Sequence, residues 1–394
     1  MPLTVLDLFS GGGGMSYGFH THPAFTLVGA VDAERGKPSS GMGTLGCNQT
    51  YARNIGITPR AMDLSQVGPD DIDRTARDTL AGRPLDVLSA CPPCTGFSRA
   101  NPQNHIEDDA RNSLVARTAH WIAALQPQVV VMENARELLS GRFAHHHATL
   151  VEAITRDYSV HSENHVLTEF GLPQKRERAL VIAARKPLKL RTLHDLWAGW
   201  SLDPDATTVR RAIGHLPPID AGQIHPDDRW HVSPSMKPHT LRRLEATPPS
   251  GGSWRDLIDQ PDHDTLLTPA MKRSVAAGRL GSHPDVYGRM AWDQPAATIK
   301  RECGHVGNGR YAHPTQHRLC TVRELGLLNG FPAHYQFGGA NLANMYRHIG
   351  DAVPPLISYQ LAHVAHWILT GVRPSLREAV LPGSSLRAAD LTPT

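Results

Sequence analysis

Along residues 3–185 the chain alternates short, almost continuous apolar runs with longer stretches whose apolar positions recur at helical spacing. The short runs at 5–9, 26–31, 85–90, 129–133, 160–167 and 179–184 have strand length. Between them, 48–54, 70–80, 111–125 and 148–157 carry the period of an amphipathic helix. Strands that are apolar on both faces, each followed by a helix, predict a mostly parallel α/β sheet covered on both sides. From 187 to 287 this alternation stops, and Gly251-Gly252, Trp230, Trp254, proline pairs and many histidines take its place. That segment reads as a smaller, loop-rich second domain. Strand and helix signals return at 297–299 and 321–329, and a last helix over Pro355–Thr370 is expected to pack back on the first domain. Residues 371–394 read as a frayed tail. The chain therefore divides into 1–186, 187–287, 288–370 and 371–394.

Composition narrows the class. The 394 residues are 40% apolar, enough for a packed core, and the 34 glycines and 31 prolines indicate many ordered turns. No apolar run approaches the roughly 18 residues of a membrane span. Met1-Pro2 leads straight into the first strand, which leaves no room for a signal peptide. Cys47, Cys91, Cys94, Cys303 and Cys320 are scattered and odd in number, which argues against a disulfide framework and for a reducing cytoplasm. A net charge of +3 permits a local basic patch without demanding one.

Residues 7–18 (DLFSGGGGMSYG) follow the first strand and open a helix. Glycines there let the backbone approach a ligand, and the helix start offers unpaired N–H groups. The pattern is not a strict dinucleotide fingerprint. Asp32 ends the second strand where a carboxylate would take both ribose hydroxyls, with Glu34 as its rival, and Asp63 would accept from an adenine amino group. A nucleoside cofactor without phosphates suits this set. The competing view is that the glycines serve the fold alone.

The run 86–98 (DVLSACPPCTGFS) carries a thiol, Cys94, just past the carboxyl end of an apolar strand, the edge at which open α/β sheets bind ligands. Glu133-Asn134 ends the next apolar strand and would face the same pocket. A thiolate adds to an electrophilic ring carbon, and a carboxyl group holds or delivers the proton at the ring nitrogen. Redox and zinc roles for the Cys91–Cys94 pair are weaker alternatives, because proline fills both inner positions and no second CxxC exists. No metal site is expected, and His145-His-His147 reads as a solvated loop. In QKRER (174–178), strand alternation would aim Gln174, Arg176 and Arg178 to one side. Arg178 would reach a ring carbonyl and Arg176 would orient the site, against the plain reading of a solvated charge run.

Taken in order, DLFSGGGG, Asp32, MDL (62–64), PPCTGFS, DARN (109–112) with Leu114, MENA, QKRER, Gly309-Arg310, His313-Pro314, LCTVRELGLLNGFP (319–332) and GDAVP (350–354) resemble the DNA (cytosine-5) methyltransferases. The resemblance spans nearly the whole chain. It implies a Rossmann-like catalytic domain with a smaller inserted target-recognition domain at 187–287, S-adenosylmethionine as cofactor, and a cytosine flipped out of double-stranded DNA as substrate. By that resemblance Cys94 adds to C6, Glu133 protonates or hydrogen-bonds N3, Arg178 contacts the base carbonyl and Arg176 assists. Phe9 packs on the adenine above Gly11 and Gly14. Asp32, Asp63 and Leu64 hold the nucleoside, and Leu114 with Asp351, Ala352 and Val353 closes the pocket. Residues 95–109 would be the mobile catalytic loop.

Three positions depart from the family pattern: Thr95 in place of Gln, Ala135 in place of Val, and Asp351 in place of Asn. The insert carries Arg210-Arg211, Lys237, His239, Arg242-Arg243 and Lys272-Arg273, which suit a phosphate-tracking face, though half would be ordinary surface charges. The resemblance implies a stand-alone bacterial enzyme of restriction–modification or phage defence, a monomer of the cytoplasm associated with the nucleoid, with restriction or defence proteins as partners and no membrane. A tRNA cytosine-5 methyltransferase and a catalytically silent DNA-binding relative are the alternatives.

Overall fold

The computed structural model describes residues 1–35, 44–93, 96–97, 108–278, 285–339 and 341–394. Its centre is a seven-stranded sheet. The strands are β1 (Leu3–Leu8), β2 (Phe25–Asp32), β3 (Arg60–Ala61), β4 (Val87–Ala90), β5 (Val129–Ala135) and β6 (Tyr158–Val166), then β8 (Glu177–Arg185) after the short β7 (Gln174–Lys175) of another sheet. The spatial order is β3-β2-β1-β4-β5-β8-β6, parallel from β3 to β5, with β8 antiparallel to both its neighbours. The six strands expected from the pattern are all present. The unexpected piece is β3, whose two exposed residues offer no apolar signal.

Burial alternates along each strand, which explains the unbroken apolar runs. Val5, Val87, Val129, Val131, Leu180 and Ile182 face one core. Leu6, Leu88, Val130, Met132, Val181 and Ala183 face the other. The helices α1 (Gly14–Thr21) and α2 (Cys47–Ile55) cover the first face. The helices α3 (Pro69–Leu80) and α4 (Ser113–Leu125), the single turn α5 (Glu137–Ser140), and α6 (His145–Ile154) cover the second. Because α6 begins at His145, the three histidines form its first turn and are not a solvated loop.

Beyond β8 the chain forms α7 (Leu193–Trp197), β9 (Trp200–Leu202), α8 (Val209–Ile213), β10 (Ile224–His225), β11 (Asp228–Val232), α9 (Pro238–Ala246), α10 (His263–Leu266) and α11 (Pro269–Ala276). This stretch is not a separate body throughout. Leu193, Leu196, Trp197, Val209 and Ile213 join the main core, and only Trp254, Leu257, Leu266, Leu267 and Met271 make a core of their own. The chain returns through β12 (Ala296–Ala297), which pairs with β7 and so brings the two ends of the insert together.

The last elements are α12 (Val322–Leu328), α13 (Leu342–Asp351), α14 (Pro355–Thr370) and β13 (Leu391–Pro393). α14 is buried almost all round, as a helix apolar on every side should be, and lies against α1. The approach is so close that a Cβ on Gly18 would stand 2.2 Å from the Ser358 carbonyl carbon. The frayed-tail expectation is corrected here. β13 pairs antiparallel with β9, and Leu376, Leu381, Leu386 and Leu391 are buried. Four leucines spread over a Pro- and Ser-rich stretch show no period, so their shared burial is a tertiary effect.

Candidate active site at the carboxyl edge of the sheet

In a sheet of this order the crevice falls between β1 and β4, where the crossovers change direction. The carboxyl ends of β1, β2, β4 and β5 deliver there the glycine loop, Asp32, the Cys91-Pro-Pro turn and Glu133-Asn134. Cys94, Thr95 and residues 98–107 lie outside the described residues, and so does most of the expected catalytic loop. The turn leading to Cys94 is fixed on both sides. The Cys91 N–H donates to the Leu8 carbonyl (3.3 Å), and the Asn134 amide donates to the Pro92 carbonyl (3.0 Å). Just past it, a Cβ on Gly96 would fall 2.1 Å from Asn112 Oδ1, so only glycine fits between the turn and α4's first residues. Cys91 is enclosed; burial pushes its thiol up, and the Glu133 carboxylate adds to the effect.

Glu133 and Arg178 meet across the β5–β8 pair. Arg178 Nε stands 2.7 Å from Glu133 Oε1, with the side chains 13% and 8% exposed. Gln174 and Arg176 do not join them, because β7 and β8 are separate strands broken at Arg176. The Gln174 amide donates to Asn329 Oδ1 (2.7 Å). Arg176, 1% exposed, donates to the carbonyls of Ile299 (2.9 Å), Ala352 (3.0 Å) and Gly350 (3.4 Å). The alternation expected for QKRER is thus corrected: Arg178 belongs to the acid, and Arg176 positions the 350–352 segment.

On the cofactor side, Asp32 joins two segments. Its Oδ2 accepts from the Gly11 N–H (2.8 Å), and its Oδ1 from the Glu34 N–H (2.7 Å) and the Cys47 thiol (3.5 Å), which leaves Oδ2 a lone pair for a hydroxyl. Glu34 is engaged at the start of α2, where it accepts from the Asn48 N–H (2.7 Å). Asp63 accepts from Ser65 N–H and Oγ at 3.0 and 2.7 Å and pairs with Arg35. Phe9 is half-buried and adopts a left-handed backbone (φ 61°), a strained state for a non-glycine residue at a loop that offers its ring to a ligand. Leu64, Leu114, Ala352 and Val353 are buried apolar groups, and Gly14 lies against Val353. Asp351 pairs with Arg301; burial pushes its carboxyl up to about 6, and Arg301 opposes that rise.

Two groups escaped the sequence reading. Asp7, inside β1, is 1% exposed and accepts from Ser16 Oγ (2.5 Å), while its other oxygen has no partner among the described residues. Burial pushes this carboxyl up to about 7. A carboxylate inside an apolar strand was the available signal. Arg301 lies in a stretch without periodicity and gave none. In the insert, several basic residues are occupied: Arg210 by Asp293 (2.7 Å), Arg211 by Asp390 (2.5 Å), Lys272 by Asp264 (3.0 Å), and Arg243 by burial at 4% exposure. Lys237, His239, Arg242 and Arg273 remain exposed.

A profile described as C-5 cytosine-specific DNA methylase matches residues 3–366. The Type II methylase M.HgiDII of Herpetosiphon aurantiacus is 27% identical over 388 residues, covering 96% of this chain and 99% of that one. The Type II methyltransferase M.XorII of Xanthomonas oryzae pv. oryzae is 27% identical over 369 residues, covering 90% and 82%. Among solved structures, a DNA modification methyltransferase encoded within a prophage of E. coli superposes with a TM-score of 0.59 at 20% identity, covering 93% and 99%. The S. pombe Dnmt2 methyltransferase gives 0.57 at 16% identity, covering 92% and 98%. Among the described residues no helix is long and apolar enough to cross a membrane.

Proposed function

Given that the chain belongs to the C-5 cytosine-specific DNA methylases and is a DNA cytosine-5 methyltransferase, we propose that it modifies one short duplex sequence through a covalent adduct of Cys94 with a flipped-out cytosine. The observation that carries the reading is the Glu133–Arg178 pair at the carboxyl edge of the sheet, beside the turn that leads to Cys94. Cys94 adds its sulfur to C6 and moves the C5=C6 electron pair toward C5. Glu133 holds the proton at N3 and so takes up the charge that the addition creates, while Arg178 orients Glu133 and donates to the base carbonyl. The C5 electron pair would take up the methyl group that the cofactor supplies, and loss of the C5 proton with expulsion of the thiolate from C6 would then restore the ring.

The residues present fit S-adenosylmethionine. Asp32 Oδ2 has a lone pair for a ribose hydroxyl, Phe9 offers a ring face, and Ser10 Oγ is buried without a partner among the described residues. When bound, the cofactor supplies an electrophilic methyl group on its sulfonium. Asp63 takes the adenine amino group once Arg35 releases it. Leu64, Leu114, Ala352 and Val353 exclude water, and Arg176 holds the 350–352 wall in place. Lys237, His239, Arg242 and Arg273 track phosphates, which gives affinity without base specificity. We take the protein to act as a monomer in restriction–modification or phage defence.

The deciding experiment is bisulfite sequencing of a methylation-free bacterial host that expresses the chain beside its Cys94→Ala variant. Cytosines protected at one short motif, and only with the parent chain, are the expected result. Soluble protein with no protected cytosine in DNA, or protected cytosines confined to tRNA, overturns the reading.

A further inference from the structure

β6 closes one edge of the sheet, and its alternation places His161, Glu163 and His165 on one face. Around the single oxygen Oε2 of Glu163 stand three imidazole Nε2 atoms: His161 at 3.1 Å, His194 at 3.6 Å and His165 at 3.8 Å. His194 arrives from α7, about thirty residues on. We propose that these four side chains form a structural Zn²⁺ site that ties the edge strand to α7.

The spacing supports this. Zinc bound at about 2.0–2.1 Å in a tetrahedron has ligands about 3.4 Å apart, and the three distances bracket that value. One donor atom each from His161, Glu163 and His165 fall within 4.8 Å of one another, while His194 meets the set through Glu163 alone and must swing in from the surface to complete it. His165 gives a second, independent reason. It is 4% exposed, its Nδ1 has no hydrogen-bond partner among the described residues, and its Nε2 aims at Glu163 from beyond hydrogen-bond range. It is wedged against Phe170 and His194, with ring centroids 5.4 and 5.0 Å away. The nitrogen that faces the carboxylate is Nε2, and a cation there would give it the close neighbour that Glu163 at 3.8 Å does not.

The donor set, three imidazoles and one carboxylate, suits a borderline cation, and four protein ligands leave no open position for catalysis. Asp108 with His145 and His146 is the contrasting cluster. There the carboxylate contacts His146 at 2.9 Å, as Glu163 contacts His161 at 3.1 Å, but it also accepts from the Asn112 amide at 2.8 Å, and neither of its histidines is buried as His165 is. The consequence reaches the catalytic edge, because His165 lies directly opposite Arg178 in the β6–β8 register. A metal bound there braces the strand from which Arg178 emerges.

The test uses the full chain, stripped with a chelator and carrying Cys94→Ser so that the thiol does not compete. Co²⁺ is titrated and followed by its visible d–d bands, and Zn²⁺ by calorimetry and thermal melting. One equivalent of tetrahedral Co²⁺ and a Tm raised by Zn²⁺ are expected. His161→Gln, at a half-buried position, and His194→Gln, at an exposed one, should each weaken binding roughly tenfold or more without lowering the Tm of the metal-free protein. His145→Gln with His146→Gln should leave binding unchanged. The proposal is overturned by an octahedral cobalt spectrum, by no saturable binding tighter than about 1 µM, or by binding that survives the His161→Gln/His194→Gln pair.

Discussion

Arg178 Nε and Glu133 Oε1 lie 2.7 Å apart on adjacent antiparallel strands, and both side chains are almost out of solvent. Removing one partner of such a pair leaves an unpaired charge, which costs about 3–5 kcal/mol. Glu133→Gln keeps the shape and removes the proton donor. It should lower the methylation rate by roughly 10²–10⁴ while leaving S-adenosylmethionine affinity unchanged. Single-turnover methyl transfer beside cofactor calorimetry checks this; parent-like turnover would remove Glu133 from the chemistry.

Asp7 gives a pH signature. Its folded-state pKa of about 7 stands above the ordinary carboxylate value because burial disfavours the charge. The native state therefore holds a proton that the unfolded chain releases. This contribution to stability is complete below the unfolded value and is lost as pH rises through about 7. Asp7→Asn should flatten that part of the Tm-against-pH curve between pH 4 and 7, as read by scanning calorimetry. An unchanged curve in the variant would refute the assignment.

Arg176 feeds three carbonyls of the cofactor wall. Arg176→Met should destabilise the fold by several kcal/mol, at about 1–3 kcal/mol for each buried acceptor left unpaired. Arg176→Lys, which restores one donor point, should recover part of the stability and bind S-adenosylmethionine more weakly than the parent. Thermal melts and isothermal titration separate the two effects. Unaltered cofactor affinity in the lysine variant would reduce Arg176 to a purely structural role.

Asp351 already has Arg301 as its partner, so its carboxylate is not needed by a ligand. Asp351→Asn should leave S-adenosylmethionine affinity within about threefold of the parent, less than 1 kcal/mol. A loss beyond tenfold in equilibrium titration would make the carboxylate a direct ligand.

Deleting residues 371–394 should lower the Tm by several degrees or leave the chain insoluble. Four buried leucines each contribute about 1.5–3 kcal/mol, and β9 loses its one strand partner among the described residues. A truncated chain that melts like the parent would restore the frayed-tail reading.

What the sequence disclosed follows physical lines. Strands such as Val129–Ala135, buried on both faces, leave an apolar run that nothing else mimics, and Glu133 at its end stands out. Arg176 was misread because a strand period was extended across a break that the carbonyls of Ile299 and Ala352 impose from more than a hundred residues away. Arg211 and Arg243 resembled a phosphate face because ion pairing with Asp390 and burial against Tyr287 are both tertiary. The His161–Glu163–His165 alternation was legible as two histidines four residues apart with a carboxylate between them, and only the approach of His194 is tertiary.

The contact between Gly14 and Val353 sets a timetable for synthesis. Val353 follows Gly14 by 339 residues (353 − 14), so the wall leaves the ribosome well after the glycine loop it faces. At about 5–20 residues per second the interval is roughly 20–70 seconds. Throughout that time the nascent chain has one half of its cofactor pocket and not the other. On the function proposed above, a chain that has not yet made the Val353 wall cannot hold the methyl donor.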